Sequence, residues 1–165
     1  MRVRGRGRIY RGRAGRGSAT LVMVLVIIIL TVICDQLSKM WVMKTFPAGV
    51  RVPVWDGKVY ITRTANPGAA FGILPNQTAF LIVVAAVVLL LVIIYGRHLI
   101  ARSPVLRLGF GLAVGGALGN MIDRLRFGRV TDFIDLKFWP VFNIADIAIV
   151  CGVVLLFWGL LRLTQ

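Results

Sequence analysis

The chain has 165 residues, 58% of them hydrophobic, with 20 Lys and Arg against six acids and a mean hydropathy of +0.85. A soluble domain of this length leaves too much surface in water to hide so much apolar side chain, so a soluble globular protein is excluded and the bilayer becomes the solvent. All six acids are Asp, which makes the position of each one informative.

Residues 1–17 form an arm with seven arginines, Arg2 to Arg16, interspersed mainly with glycine. It is expected to lack fixed structure and to stay in the cytoplasm. Arginine-glycine segments also bind RNA, but only Tyr10 supplies an aromatic ring here. A topogenic signal that attracts anionic lipid is the better reading, and no nucleic-acid partner is expected. The first apolar span covers residues 18–37 and is broken only by Asp35. No small-residue cleavage site follows it, and Val32 and Ile33 precede Cys34, so a retained helix is expected.

Beyond that span, Arg51–Trp55 and Lys58–Thr62 are β-rich runs separated by Asp56-Gly57, a hairpin signal. A small sheet resting on the membrane is expected, with Trp41 and Trp55 near the interface. The second span, 78–96, carries no charge. The third, 105–122, is glycine-rich and the least apolar, and the fourth, 139–161, holds Asp146 about two turns in as its single charge. The fold class expected is an all-α membrane protein, with residues 18–165 forming one four-helix transmembrane domain and an extracytoplasmic β-hairpin. Cys34 and Cys151 sit inside apolar runs and read as buried thiols rather than a disulfide. His98 falls in the short connection with Arg97 and Arg102, which belongs with both termini on the cytoplasmic side. The connections 38–77 and 123–138 then face outward, although they too carry several Lys and Arg.

In an up-down bundle the ends of spans one and three and the start of span four share one membrane face. Asp35, Asp123, Asp132, Asp135 and Asp146 therefore gather there, and only Asp56, in the hairpin turn, has a simple surface explanation. A charge near hydrocarbon costs about 2.5–3.5 kcal/mol on insertion scales, so such residues persist when paired, hydrated or used. Asp35 has Lys39 one turn on, and Asp123 has Arg124 and Arg126 as candidate partners, while the helix of Asp146 offers no basic residue. Asn120, Asp123 and Arg124 share a helix side, and Asn143 and Asp146 repeat the i,i+3 spacing. Gly111, Gly115 and Gly119 make a small-xxx-small stripe that permits close helix approach. Two adjacent carboxylates share a proton, so one can activate water while the other protonates a carbonyl oxygen. No Cys/His metal spacing and no phosphate-binding loop are present, and no cofactor is expected.

Five blocks in chain order, Asp35-Gln-Leu-Ser-Lys39, Asn66-Pro-Gly-Ala-Ala-Phe71, Gly115 to Arg124, Val130-Thr-Asp-Phe-Ile-Asp135 and Phe142-Asn-Ile-Ala-Asp146, resemble signal peptidase II, the bacterial lipoprotein signal peptidase. The resemblance implies an aspartic endopeptidase of the bacterial inner membrane that removes signal peptides from prolipoproteins, cutting before a diacylglyceryl-modified cysteine at the outer face. It narrows the five acids to a catalytic pair, Asp132 and Asp146. Asn66, Asn120, Arg124 and Asn143 would support the site or hold substrate, and Asp35, Lys39 and Asp123 would be structural, with Asp135 the nearest competitor for a catalytic role. Lipid-modified prolipoproteins and membrane lipids are the implied partners, and a monomer is expected. The short stretch from Asp132 to Asp146, closed by Lys137-Phe-Trp-Pro140, departs from many members, as does the arginine arm. The rival class is a proton- or cation-coupled carrier, since intramembrane acids also mark ion routes; a small scaffold subunit would leave the polar constellation unexplained.

Overall fold

The computed structural model describes residues 8–68, 77–96 and 98–164, with side chains from residue 17 onward. Four helices and three strands follow in the order α1 (Arg8–Thr45), β1 (Arg51–Trp55), β2 (Val59–Asn66), α2 (Thr78–Gly96), α3 (Pro104–Phe127), β3 (Val130–Asp135) and α4 (Ile144–Leu161). All four helices are long and apolar enough to cross a bilayer. The chain is therefore a four-span membrane protein with a small sheet.

The weak hydropathy of the third span has a structural cause. Half of the apolar window of α3 is buried inside the protein, against 11% for α1 and α2 and 22% for α4. A helix surrounded by other helices needs small residues more than greasy ones, because lipid supplies no hydrophobic drive between spans. The predicted stripe faces α1: a Cβ on Gly111 would lie 2.6 Å from Cγ2 of Ile27, and one on Gly115 would lie 2.7 Å from Cβ of Thr31. A second set, unforeseen, packs on α4, where Gly109 and Gly116 of α3 meet the backbone around Gly152 and Ala145. Val24, Leu89, Phe110 and Val114, all buried, join α1, α2 and α3 in one apolar cluster.

The sheet order is β1-β2-β3, antiparallel throughout. Asp56 and Gly57 both take positive φ, 45° and 69°, the conformation a tight hairpin with this twist requires. Pro53 lies on β1, the edge strand beside β2, next to an irregularity in the register, the kind of position where a residue without an N–H is tolerated. β2 runs four residues beyond the predicted Thr62, and β3 is a strand the sequence reading took as connection. That extension sets Thr64 opposite Asp132 and Asn66 opposite Val130.

Three further expectations change. The fourth helix starts at Ile144, not residue 139, because Pro140 interrupts the run and Phe142 bridges to Ile134 before Asn143 caps the helix. Asp146 therefore stands in the first turn of α4 rather than two turns in. Cys34 and Cys151 are free as expected, but both are exposed on the surfaces of their helices and not buried. At the other end, α1 extends beyond the predicted residue 37 to Thr45 and its backbone is helical from Arg8, inside the arm; residues 1–7 and Arg97 lie outside the described residues. Trp41 and Trp55 are exposed, at 54% and 67%.

The α3–α4 contact is backbone against backbone: a Cβ on Gly152 would sit 2.6 Å from the amide nitrogen of Ala113 and 2.7 Å from the carbonyl oxygen of Gly109. Gly152→Ala should therefore destabilise the detergent-solubilised protein by about 1–3 kcal/mol, read as a lower thermal unfolding midpoint. Gly17→Ala, with nothing within 4 Å of the added atom, should leave the midpoint unchanged or slightly raised.

Candidate active site

The polar cluster begins with one cation. Lys39 is 1% exposed, yet its ammonium lies 2.8 Å from Asp35 and 3.1 Å from Asp123, which are 0% and 1% exposed. Two carboxylates around one ammonium leave a buried negative balance, which amide donors offset. The Gln36 amide donates to Asp123 at 2.9 Å, the Thr131 backbone N–H to the other Asp123 oxygen at 3.0 Å, and the Ala145 N–H to Asp35 at 3.0 Å. Asp123 therefore pairs across helices with Lys39 and not with Arg124 or Arg126 of its own helix. The glycine stripe explains this, since it lets α1 approach until Lys39 reaches α3. Asn120 and Arg124 line a cavity, whereas Asp123 meets Asn120 only through their shared contact with Lys39.

The third contact of Lys39 is the Oδ1 of Asn120, at 2.9 Å. That contact fixes which end of the Asn120 amide faces the cavity, and its Nδ2 donates to Asp146 at 2.8 Å. Asn143 is pinned in the same manner. Its Oδ1 caps α4 by accepting from the Asp146 N–H at 3.0 Å, so its Nδ2 points the other way and donates to Asp132 at 2.6 Å. The same Nδ2 lies 3.1 Å from Oδ1 of Asn120. Asn66 completes the set: its Oδ1 accepts from the Gly68 N–H at 3.0 Å, and its Nδ2 donates to Asp132 at 3.0 Å. Three amides, each held by its oxygen, thus aim their nitrogens at two carboxylates.

Asp132 and Asp146 both line a cavity of about 700 Å³, together with Asn66, Asn120, Arg124 and a wall formed by Trp139 to Phe142. Arg124 donates to the carbonyl oxygen of Gly68 at 3.1 Å, tying α3 to the end of β2. The two carboxylates are presented by different devices. Asp146 is the acidic partner of a capping box, accepting from the Asn143 N–H at 3.1 Å at the positive end of the α4 dipole. Asp132 stands on β3, 3% exposed, and burial with the nearby charge of Asp146 pushes its carboxyl up to about 6 despite the Asn66 and Asn143 donors.

Asp135, the competitor, leaves the site. It lies three residues along β3 from Asp132, hence on the opposite face, where Arg51 of β1 approaches it to 2.7 Å. Of the residues the sequence reading grouped, Asp132, Asp146, Asn66, Asn120, Arg124 and Asn143 come together, while Asp35, Lys39 and Asp123 form the supporting cluster behind them. Gln36 and Thr131 were missed, although both lie inside motif blocks beside residues that were named. Residues 69–71 of the second block lie outside the described residues. No group of His, Cys and Asp able to hold a metal occurs among the described residues.

Fold and site together define a multi-pass membrane enzyme whose carboxylates meet at one end of the bundle. Residues 27–162 match the model of the signal peptidase (SPase) II family. Lipoprotein signal peptidases from Moorella thermoacetica and Pelotomaculum thermopropionicum are 47% and 44% identical over 133 residues, covering 81% of this chain and 89% and 88% of theirs. Two solved bacterial membrane enzymes share the fold, with TM-scores of 0.77 and 0.72 at 31% and 32% identity; the first match covers 86% of this chain and 89% of the other. The chain belongs to the signal peptidase II family and is a protease.

Two results are expected from this geometry. Replacing Lys39 with Met leaves Asp35 and Asp123 buried without their cation, and should cost about 3–5 kcal/mol in thermal unfolding or prevent accumulation of the protein. An unchanged midpoint would contradict the role given to that ammonium. The raised carboxyl of Asp132 also links stability to pH. The folded protein binds this proton more tightly than the unfolded chain, so the site's stabilising contribution is present at pH 4 and lost as pH rises through about 6. Between pH 4 and pH 7, Asp132→Asn should gain about 2 kcal/mol relative to the parent protein, whatever fixed offset the substitution carries.

Proposed function

We propose that the protein removes signal peptides from diacylglyceryl-modified prolipoproteins, cleaving before the lipidated cysteine with water activated between Asp132 and Asp146. The observation that carries the reading is the shared amide frame, in which Asn143 holds Asp132 with its side chain and Asp146 with its backbone N–H. In this mechanism the shared proton rests on Asp132, and the charge rests on Asp146 at the α4 N-terminus. Asp146 takes a proton from water as its oxygen attacks the scissile carbonyl carbon, and Asp132 protonates the carbonyl oxygen. Collapse of the tetrahedral diol returns a proton to the leaving nitrogen, so no covalent enzyme intermediate forms. The asparagine amides are already oriented before substrate arrives, so little reorganisation accompanies the charge movement.

The family relatives support the substrate class, since those from Moorella thermoacetica and Pelotomaculum thermopropionicum are lipoprotein signal peptidases. The cavity suits such a substrate: its wall of Trp139, Pro140, Val141 and Phe142 is apolar, and Ile149 and Val150 of α4 continue it along the span. The signal helix would lie along the spans with its lipid tails in the bilayer. The arginine arm supports an orientation with both termini in the cytoplasm and the cavity at the outer face. A carrier reading finds no support in the placement of the acids, because Asp35, Asp123, Asp132, Asp135 and Asp146 all belong to the polar end of the bundle.

Incubation with a diacylglyceryl-modified precursor should give cleavage before the modified cysteine, and the unmodified precursor should be left intact. Asp132→Asn and Asp146→Asn should each lower the rate about 10²–10⁴-fold while the protein still inserts in the membrane. Normal processing by both variants would overturn the assignment.

A further inference from the structure

The cavity-bearing end of the protein carries more positive charge than its carboxylates use. The connections 38–77 and 123–138 hold nine Lys and Arg, and the chain has six Asp in total. Lys39 and Arg51 account for the ion pairs among the described residues. Apart from Arg124, which lines the first cavity, this surplus runs against the usual placement of basic residues in a membrane protein and has no part in the chemistry described above.

Two of the surplus arginines share a second cavity, of about 380 Å³, lined by Met43, Ala48, Arg63, Thr64, Phe127, Arg129 and neighbours. It lies where α1 and α3 end, with Met43 from the last turn of α1 and Phe127 closing α3. Both arginines are set in place by the fold. Arg63 on β2 donates to the carbonyl oxygen of Met43 at 3.2 Å, and the left-handed cap at Gly128, φ 71°, turns the chain so that Arg129 follows α3 into the same niche. No carboxylate stands within ion-pair distance of either guanidinium among the described residues. The lining is mixed, with two cations beside the apolar Met43 and Phe127. Guanidinium groups match phosphate in shape and charge, and an apolar lip at the end of membrane helices suits the glycerol and upper acyl chain attached to such a phosphate.

We propose that the niche between Arg63 and Arg129 binds the phosphate of an anionic phospholipid from the leaflet bordering the carboxylate-bearing face. The site needs only the membrane fold and is independent of the proteolytic assignment. Thr64 and Ala65 line both cavities, so a lipid held here rests on the far side of the wall that carries Asn66 to Asp132.

The test is native mass spectrometry of the full chain in detergent, titrated separately with phosphatidylglycerol and phosphatidylcholine, and with inorganic phosphate as a competitor. The parent protein should retain phosphatidylglycerol over phosphatidylcholine. Arg129→Gln and Arg63→Gln should each weaken that retention about tenfold, the loss of one charged hydrogen-bonding group. Arg126→Gln should leave it unchanged, since Arg126 lies over the Phe127 ring, 5.1 Å from its centroid, and does not line the niche. Should Arg63→Gln fail to fold, the exposed Arg129 carries the comparison. Equal retention of the two lipids, equal retention by Arg129→Gln and parent, or an equal loss in Arg126→Gln would overturn the proposal. Displacement of the lipid by millimolar phosphate would mark a free-anion site and overturn it too.

Discussion

The polar end of this bundle is organised around one buried ammonium. Lys39 touches Asp35, Asp123 and Asn120, and through them it joins α1 to α3 and α3 to the carboxylate of α4. A lone charge in this place would be intolerable next to hydrocarbon. A cation with two carboxylates and several amide donors can stay, because each carboxylate oxygen finds a donor. Close helix approach is the condition for the cluster, so the glycines of α3 and the acids of the site are one design: without Gly115 and Gly119 the lysine of α1 could not reach its partners on α3.

The cluster sets the direction of one amide, Asn120, and backbone N–H groups set the direction of Asn143 and Asn66. An asparagine side chain is nearly symmetric in shape and must be oriented by its neighbours. Here each oxygen is engaged by a donor that cannot be reversed: an ammonium for Asn120, a helix N–H for Asn143 and a turn N–H for Asn66. The nitrogens are left to face Asp146 and Asp132. A carboxylate pair surrounded by donors, with one member in a helix cap and the other on a buried strand, is held asymmetric before any substrate enters. Asymmetry is what the proposed acid-base chemistry on a single water needs, since there one group must give a proton while the other takes one.

Much of this was legible in the sequence, for identifiable reasons. Hydropathy located the four spans because hydrocarbon thickness fixes helix length. Span order alone collected Asp35, Asp123, Asp132, Asp135 and Asp146 at one end. The Asp56-Gly57 turn announced the hairpin through its need for positive φ. Other features were not visible. Val130–Asp135 has β-forming residues, yet its strand character depends on β2 being long enough to pair with it, a contact between residues some seventy positions apart. Asp123 looked paired within its own helix because sequence distance shows local partners and conceals Lys39. The start of α4 was placed early because Trp139 to Phe142 is apolar, although Pro140 and the Asn143 cap mark the true boundary. Composition likewise suggested buried thiols at Cys34 and Cys151, whereas in a membrane helix an apolar run is the exposed face.

Asp132 binds a proton more tightly than a free carboxyl because it is buried and because Asp146 is beside it. Infrared difference spectroscopy on protein with isotope-labelled aspartate measures this directly, through the carboxyl stretch that only a protonated side chain shows. A band lost near pH 6, absent in Asp132→Asn and shifted to lower pH in Asp146→Asn, is the predicted result. A band near pH 6 that Asp132→Asn leaves undiminished, or a midpoint that Asp146→Asn leaves in place, would contradict a proton held on Asp132 by its neighbour.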